Sequence, residues 1–228
     1  MERLKLRERL KQERLPQRVL LYMFGLFILA IGVSFAVRSN LGVSPVQSMP
    51  LVLTYITGLS MGVCVFLIFS AYTLAQIPIL GRKFQWYQLA QVPAALVFGY
   101  LVDLTQFLLG DFHIPTYFGQ LAKLAIGVFL IANGIILHMR PKLINQPPDA
   151  LVAAVATKTK SGAFYRAKIG TDLTLVAVSA LLSFVFLGGL YGLREGTVIA
   201  AVMIGKCIPL ANRIWGPTLE RLGFPAKS

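Results

Sequence analysis

Four ionisable residues, Asp103, Lys123, Asp172 and Lys206, interrupt runs of apolar residues long enough to cross a lipid bilayer. A charge at that depth costs roughly 2.5 to 3.5 kcal/mol even on the gentler insertion scale, so it pairs, reaches water or serves a function. Lys206 lies near the middle of its run, and Asp172 stands about a turn inside the end of the preceding one. A pair between them is within reach of their side chains, either as an ion pair that fixes two consecutive helices or as a functional couple. In the second case Lys206 would hold an anionic group, or Asp172 would carry a proton whose binding alternates with substrate. Lys123 is close enough to a helix end to snorkel, and Asp103 sits toward the outer end of its run. Asn133, Thr171, Thr174, Gln88 and Gln91 are polar residues that could line the same cavity, although each is also ordinary interhelical glue.

Two polar breaks carry the other chemistry. Leu41-Gly42-Val43-Ser44-Pro45-Val46-Gln47 and Asn145-Gln146-Pro147-Pro148-Asp149 each precede an apolar segment too short to span, 49–57 and 150–157. Ser44 and Asp149 are good N-cap residues, and the prolines suit a helix start. If the short segments dip into the protein, their N-termini bring unpaired N–H groups and positive dipole ends toward its interior, which favours a polar or anionic solute. Lying flat in the interface as amphipathic helices is the other arrangement open to them.

The elements that position these residues follow from composition. The 228 residues are 56% apolar, and a bilayer core of roughly 30 Å needs about 20 apolar residues per crossing. Six runs qualify: 19–37, 60–80, 86–109, 118–139, 169–190 and 197–215. They are continuously apolar, unlike the alternating strands of a membrane barrel. The expected fold is therefore an all-α integral membrane bundle of six transmembrane helices. It is organised as a basic leader (1–18), a first three-helix repeat (19–109), an outer connection (110–117), a second three-helix repeat (118–216) and a tail (217–228). Setting Pro45 opposite Pro147 brings Gln47 opposite Asp149, and further along Gly99 falls opposite Gly205. An odd number of crossings per repeat turns the second copy upside down, giving a 3+3 inverted repeat with an interrupted or re-entrant helix after the first helix of each half. Such repeats mark secondary transporters.

The net charge of +13 is sorted by connection rather than gathered on one face, which argues against nucleic acid as a partner. Arg3, Lys5, Arg7, Arg9, Lys11, Arg14 and Arg18 precede the first run; Arg82 and Lys83 follow the second; Arg140, Lys142, Lys158, Lys160, Arg166 and Lys168 surround the second break; Arg213, Arg221 and Lys227 close the chain. The positive-inside rule then places both termini in the cytoplasm, with the basic leader against anionic headgroups. No cleavable signal peptide is expected. Cys64 and Cys207 have no metal or disulfide spacing around them, and His113 and His138 are isolated and read as interfacial side chains. With no nucleotide loop and no hydrolase or metalloprotease motif, neither a cofactor nor an enzyme is expected.

The segments Gly192-Leu193-Arg194-Glu195-Gly196-Thr197, Ile204-Gly205-Lys206, Leu41-Gly42-Val43-Ser44-Pro45 and Pro148-Asp149-Ala150-Leu151 resemble the YczE/YitT-like group of bacterial membrane proteins. The resemblance implies a bacterial inner-membrane location and little about substrate. Two positions depart from the pattern: Gln47 stands where an acidic residue often follows, and Lys206 where a proline often follows Ile-Gly. The leading expectation is a secondary transporter of a small polar or anionic solute. Its central site would comprise Ser44, Gln47, Asn133, Asp149, Asp172 and Lys206, and a homo-oligomer is compatible with it. The alternative is a non-transporting scaffold or accessory subunit of another membrane system.

Overall fold

The computed structural model describes residues 15–110, 114–158 and 164–224. The leader up to residue 14, His113, Lys160 and Lys227 lie outside the described residues. Every regular element described is helical: α1 (Leu15–Ser39), α2 (Pro45–Thr57), α3 (Met61–Leu80), α4 (Gln91–Leu109), α5 (Tyr117–Met139), α6 (Pro147–Ala156), α7 (Phe164–Leu187) and α8 (Glu195–Arg221). Among the described residues, six stretches are long and apolar enough to cross a membrane, and α2 and α6 are the short helices between them.

Local chemistry sets the boundaries. The Ser39 hydroxyl donates to the Ala36 carbonyl (2.6 Å) and accepts from the Leu41 amide (3.2 Å), closing α1 while Asn40 turns with φ 57°. Both short helices begin on their prolines, earlier than the apolar runs indicate, because the fixed φ of proline suits a first helical position whose N–H is unpaired anyway. Helix α2 stops at Gly58 (φ 71°), whose amide bonds to Thr54, and Ser60 then caps α3 by accepting from Val63. The third long run does not start as an α-helix. Its first residues, Trp86–Ala90, form a 3-10 turn in which Gln88 accepts from the Gln85 amide.

Helices α1 and α5 form the centre. They run antiparallel with backbones in contact, because Gly25 lies against His138, Gly32 against Ile131 and Gly127, and Gly134 against Leu29. A Cβ at any of these glycines would collide with the opposite backbone. Helix α4 flanks α1, where the hydroxyls of Ser34 and Thr105 meet at 2.8 Å; α8 flanks α5, where the Trp215 indole donates to Asn133 at 2.7 Å. Each short helix packs between α3 and α7. A continuous core cluster runs from Leu26 and Val33 through Phe69, Phe98 and Val102 to Leu151 and Leu175.

The two outer pairs differ. Helices α3 and α4 pack closely, with Gly62 against Gly99 and the Asp103 carboxylate accepting from the Ser60 hydroxyl (2.5 Å) and the Gly62 amide (2.6 Å). Helices α7 and α8 scarcely touch. Gly205, aligned with Gly99, has no neighbour where a Cβ would stand.

Candidate functional site between the short helices

Helix α3 joins the beginnings of α2 and α6. Its Tyr72 hydroxyl donates to Met49 of α2 (3.5 Å), and one turn on its Gln76 amide reaches the Pro147 carbonyl of α6 (3.4 Å). On the other side, Ser48 of α2 meets Ser179 of α7 at 2.9 Å. Ser179 stands eight residues before the end of α7, so α2 starts about 12 Å along the helix axis from that end. The beginnings of α2 and α6 are thus both bonded to α3, and that of α2 also to α7.

The side chains at these two ends are buried without being fully bonded. Ser44 forms the N-cap of α2 but makes no side-chain cap bond. Gln47 is 5% exposed, and its carbonyl oxygen has no partner. Gln146, the N-cap of α6, is likewise 5% exposed, and neither its amide nitrogen nor its oxygen is bonded. A buried amide left unpaired costs about 1–3 kcal/mol, so fold stability alone gives no reason for it. With proline at both 147 and 148, the first two residues of α6 have no amide hydrogen to donate there.

Asp149 completes the α6 end. It is partly exposed and within electrostatic range of both His138 and Asp172. Asp172 pairs with Lys168 of its own helix at 2.9 Å, so the pairing with Lys206 that the sequence suggests is not the one formed. Lys206 is exposed on α8, turned away from the face that carries Ala200 and Ala211, and has no ion-pair partner among the described residues. Asn133 is also elsewhere: its amide donates to Phe129 (2.7 Å) and its oxygen accepts from Trp215, binding α5 to α8. Of the six expected site residues, the structure gathers Ser44, Gln47, Asp149 and Asp172 around α2, α3, α6 and α7 and leaves Asn133 and Lys206 outside.

Other expectations also change. Lys123 reaches the end of α1. It is 2% exposed and donates to the Arg38 carbonyl (2.7 Å), one of the carbonyls that the end of α1 leaves without a helical partner. His138 is not interfacial: it is fully covered, its Nδ1 lies 2.9 Å from the Gly134 carbonyl, and its ring meets the edge of Tyr22. Gln88 serves the turn before α4, and Thr174 bonds back to Gly170. Gln91 joins Gln76 in a reciprocal amide pair. Sequence reasoning passed over Gln76, Gln146 and Tyr72, although Gln146 immediately precedes the aligned Pro147. At the opposite end of the bundle, a cavity of about 540 Å³ opens between α1, α2 and α4, lined by Arg38, Thr54, Tyr55 and Asp103 among others.

Residues 16–213 match the model of a family described as a family of unknown function, DUF6198. The chain belongs to that family. It is 28% identical to the uncharacterized membrane protein YczE of Bacillus subtilis, over 86% of this chain and 85% of the relative. It is 26% identical to the uncharacterized protein YyaS of the same organism, over 88% of this chain and 92% of that one. No solved structure matches the chain. Membership of DUF6198 accords with the YczE-like resemblance in the glycine- and proline-marked segments, and with a multi-pass membrane protein.

Proposed function

We propose that this protein is a secondary transporter of a small polar solute, acting by alternating access about a site at the facing starts of α2 and α6. The observation that carries this reading is the pair of buried, incompletely bonded side-chain amides, Gln47 and Gln146, each at the N-terminus of a short helix inside the bundle. Interrupted helices whose N-termini meet a solute between repeats are the recurring device of such transporters. Polar backbone of this kind is tolerated at membrane depth where it is covered by protein or lines a wet cavity.

Helix pairing supports an inverted repeat. Exchanging α1–α4 with α5–α8 maps the central α1/α5 contact onto itself, α1/α4 onto α5/α8, and α2/α7 onto α6/α3. The distribution of Lys and Arg supports cytoplasmic termini in a bacterial inner membrane.

The charge around the site narrows the solute. With Lys206 elsewhere and Lys168 already paired to Asp172, Asp149 has no ion-pair partner among the described residues. A neutral polar or cationic solute fits this unpaired carboxylate better than an anion.

A thermal-shift screen of the full chain in detergent against small neutral, cationic and anionic metabolites tests this reading. A ligand at 100 times its dissociation constant stabilises by roughly 2.7 kcal/mol. The expected hit also protects cysteines introduced at Gln47 and Asp149 from thiol reagents and is taken up by vesicles containing the protein. An absence of hits, together with cysteines indifferent to every compound, overturns it.

A further inference from the structure

Lys206 stands eleven residues into α8, about 16 Å from the start of the helix and so near the middle of a membrane span. It is exposed, on a stripe with Val202 and Leu210, which are 52% and 49% exposed. An ammonium group in hydrocarbon at that depth is unstable without a counter-charge. Beside it the bundle is open, because α8 lacks the neighbour that α3 provides for α4, and Gly205 leaves room for another backbone to approach. We infer that this face of α8 docks a transmembrane helix of a different membrane protein, through a carboxylate on that helix that pairs with Lys206.

The choice of occupant follows from charge. A two-fold contact between copies of this chain, centred on the stripe, would set Lys206 against Lys206. Nor do the described acidic residues offer a free carboxylate at matching depth on an exposed helix face. Asp103 is held by Ser60 and Gly62, Asp172 by Lys168, Glu195 and Glu220 lie at the ends of α8, and Asp149 lies at the start of α6. Lipid chains fill the space without neutralising the charge. A carboxylate-bearing helix does both.

The test places a photo-crosslinking residue at Val202 or Leu210 of the full chain in its native membrane, with Tyr100, aligned with Lys206 on the closed half, as the control position. The expected result is an adduct with one integral membrane protein, absent from the Tyr100 position. Its yield falls by about tenfold or more in Lys206→Glu, and it is restored when the carboxylate on the contacting helix of that protein is changed to lysine. Lys206→Met provides the same loss should Lys206→Glu fail to accumulate. Adducts with lipid alone, adducts with a second copy of the chain, or a yield indifferent to both substitutions overturn the inference.

Discussion

Gln76 on α3 and Gln91 on α4 hold each other by both ends of their amides, one bond at 3.0 Å and the return bond at 3.2 Å, and neither side chain is more than 3% exposed. The pair ties the long helices at the end where α6 begins, while Asp103 ties them at the other. Gln76→Leu leaves the Gln91 amide nitrogen buried and unpaired, a loss of about 1–3 kcal/mol. The double Gln76→Leu, Gln91→Leu variant is expected to recover much of that loss, as read by thermal unfolding in detergent.

The glycines aligned between the two halves differ in surroundings, and that difference can be measured. Gly99→Ala forces a methyl group into the Gly62 carbonyl and is expected to destabilise by about 1–3 kcal/mol. Gly205→Ala meets nothing and should leave the midpoint unchanged or slightly raised. Equal losses at both positions would show α8 to be as tightly packed as α4.

Gln146 separates stability from function. Its amide has no partner to lose, so Gln146→Leu is expected to fold at least as well as the parent, while thermal shifts from any ligand of the proposed site disappear. A destabilised variant that still binds ligand would make Gln146 structural.

Asn133 should behave in the opposite way. Asn133→Ala removes the bond to Trp215 and is expected to cost about 0.6 to 1.7 kcal/mol, the range for polar contacts between membrane helices. Ligand binding and uptake by the folded variant should match the parent.

At the α6 end, Asp149→Asn removes a partly exposed charge without shortening the side chain. Uptake of a cationic solute is expected to fall by about tenfold or more, corresponding to at least about 1.4 kcal/mol of binding energy. An increased affinity for anions in the same variant would support the electrostatic argument, and it can be measured by the same thermal-shift screen.

The six long apolar helices and the two short ones were legible in the order of residues alone, because the length of an apolar run, bilayer thickness and the position of prolines act locally. Helices α2 and α6 begin on Pro45 and Pro147, a few residues ahead of the apolar runs 49–57 and 150–157. Which way each polar side chain faces, and what it meets, came instead from how the helices pack. In a helix that is apolar almost all round, periodicity does not fix its rotation, so Lys206 reads the same whether it points to the centre or to the lipid. Only the packing of α8 on α5, with Ala200 and Ala211 on its buried face, turns it outward. Asp172 had two lysines within plausible reach, and the helical turn that brings Lys168 over it decided between them. The Gln76–Gln91 pair and the burial of Lys123 against Arg38 likewise depend on which helices are neighbours, and the order of residues along the chain does not state that.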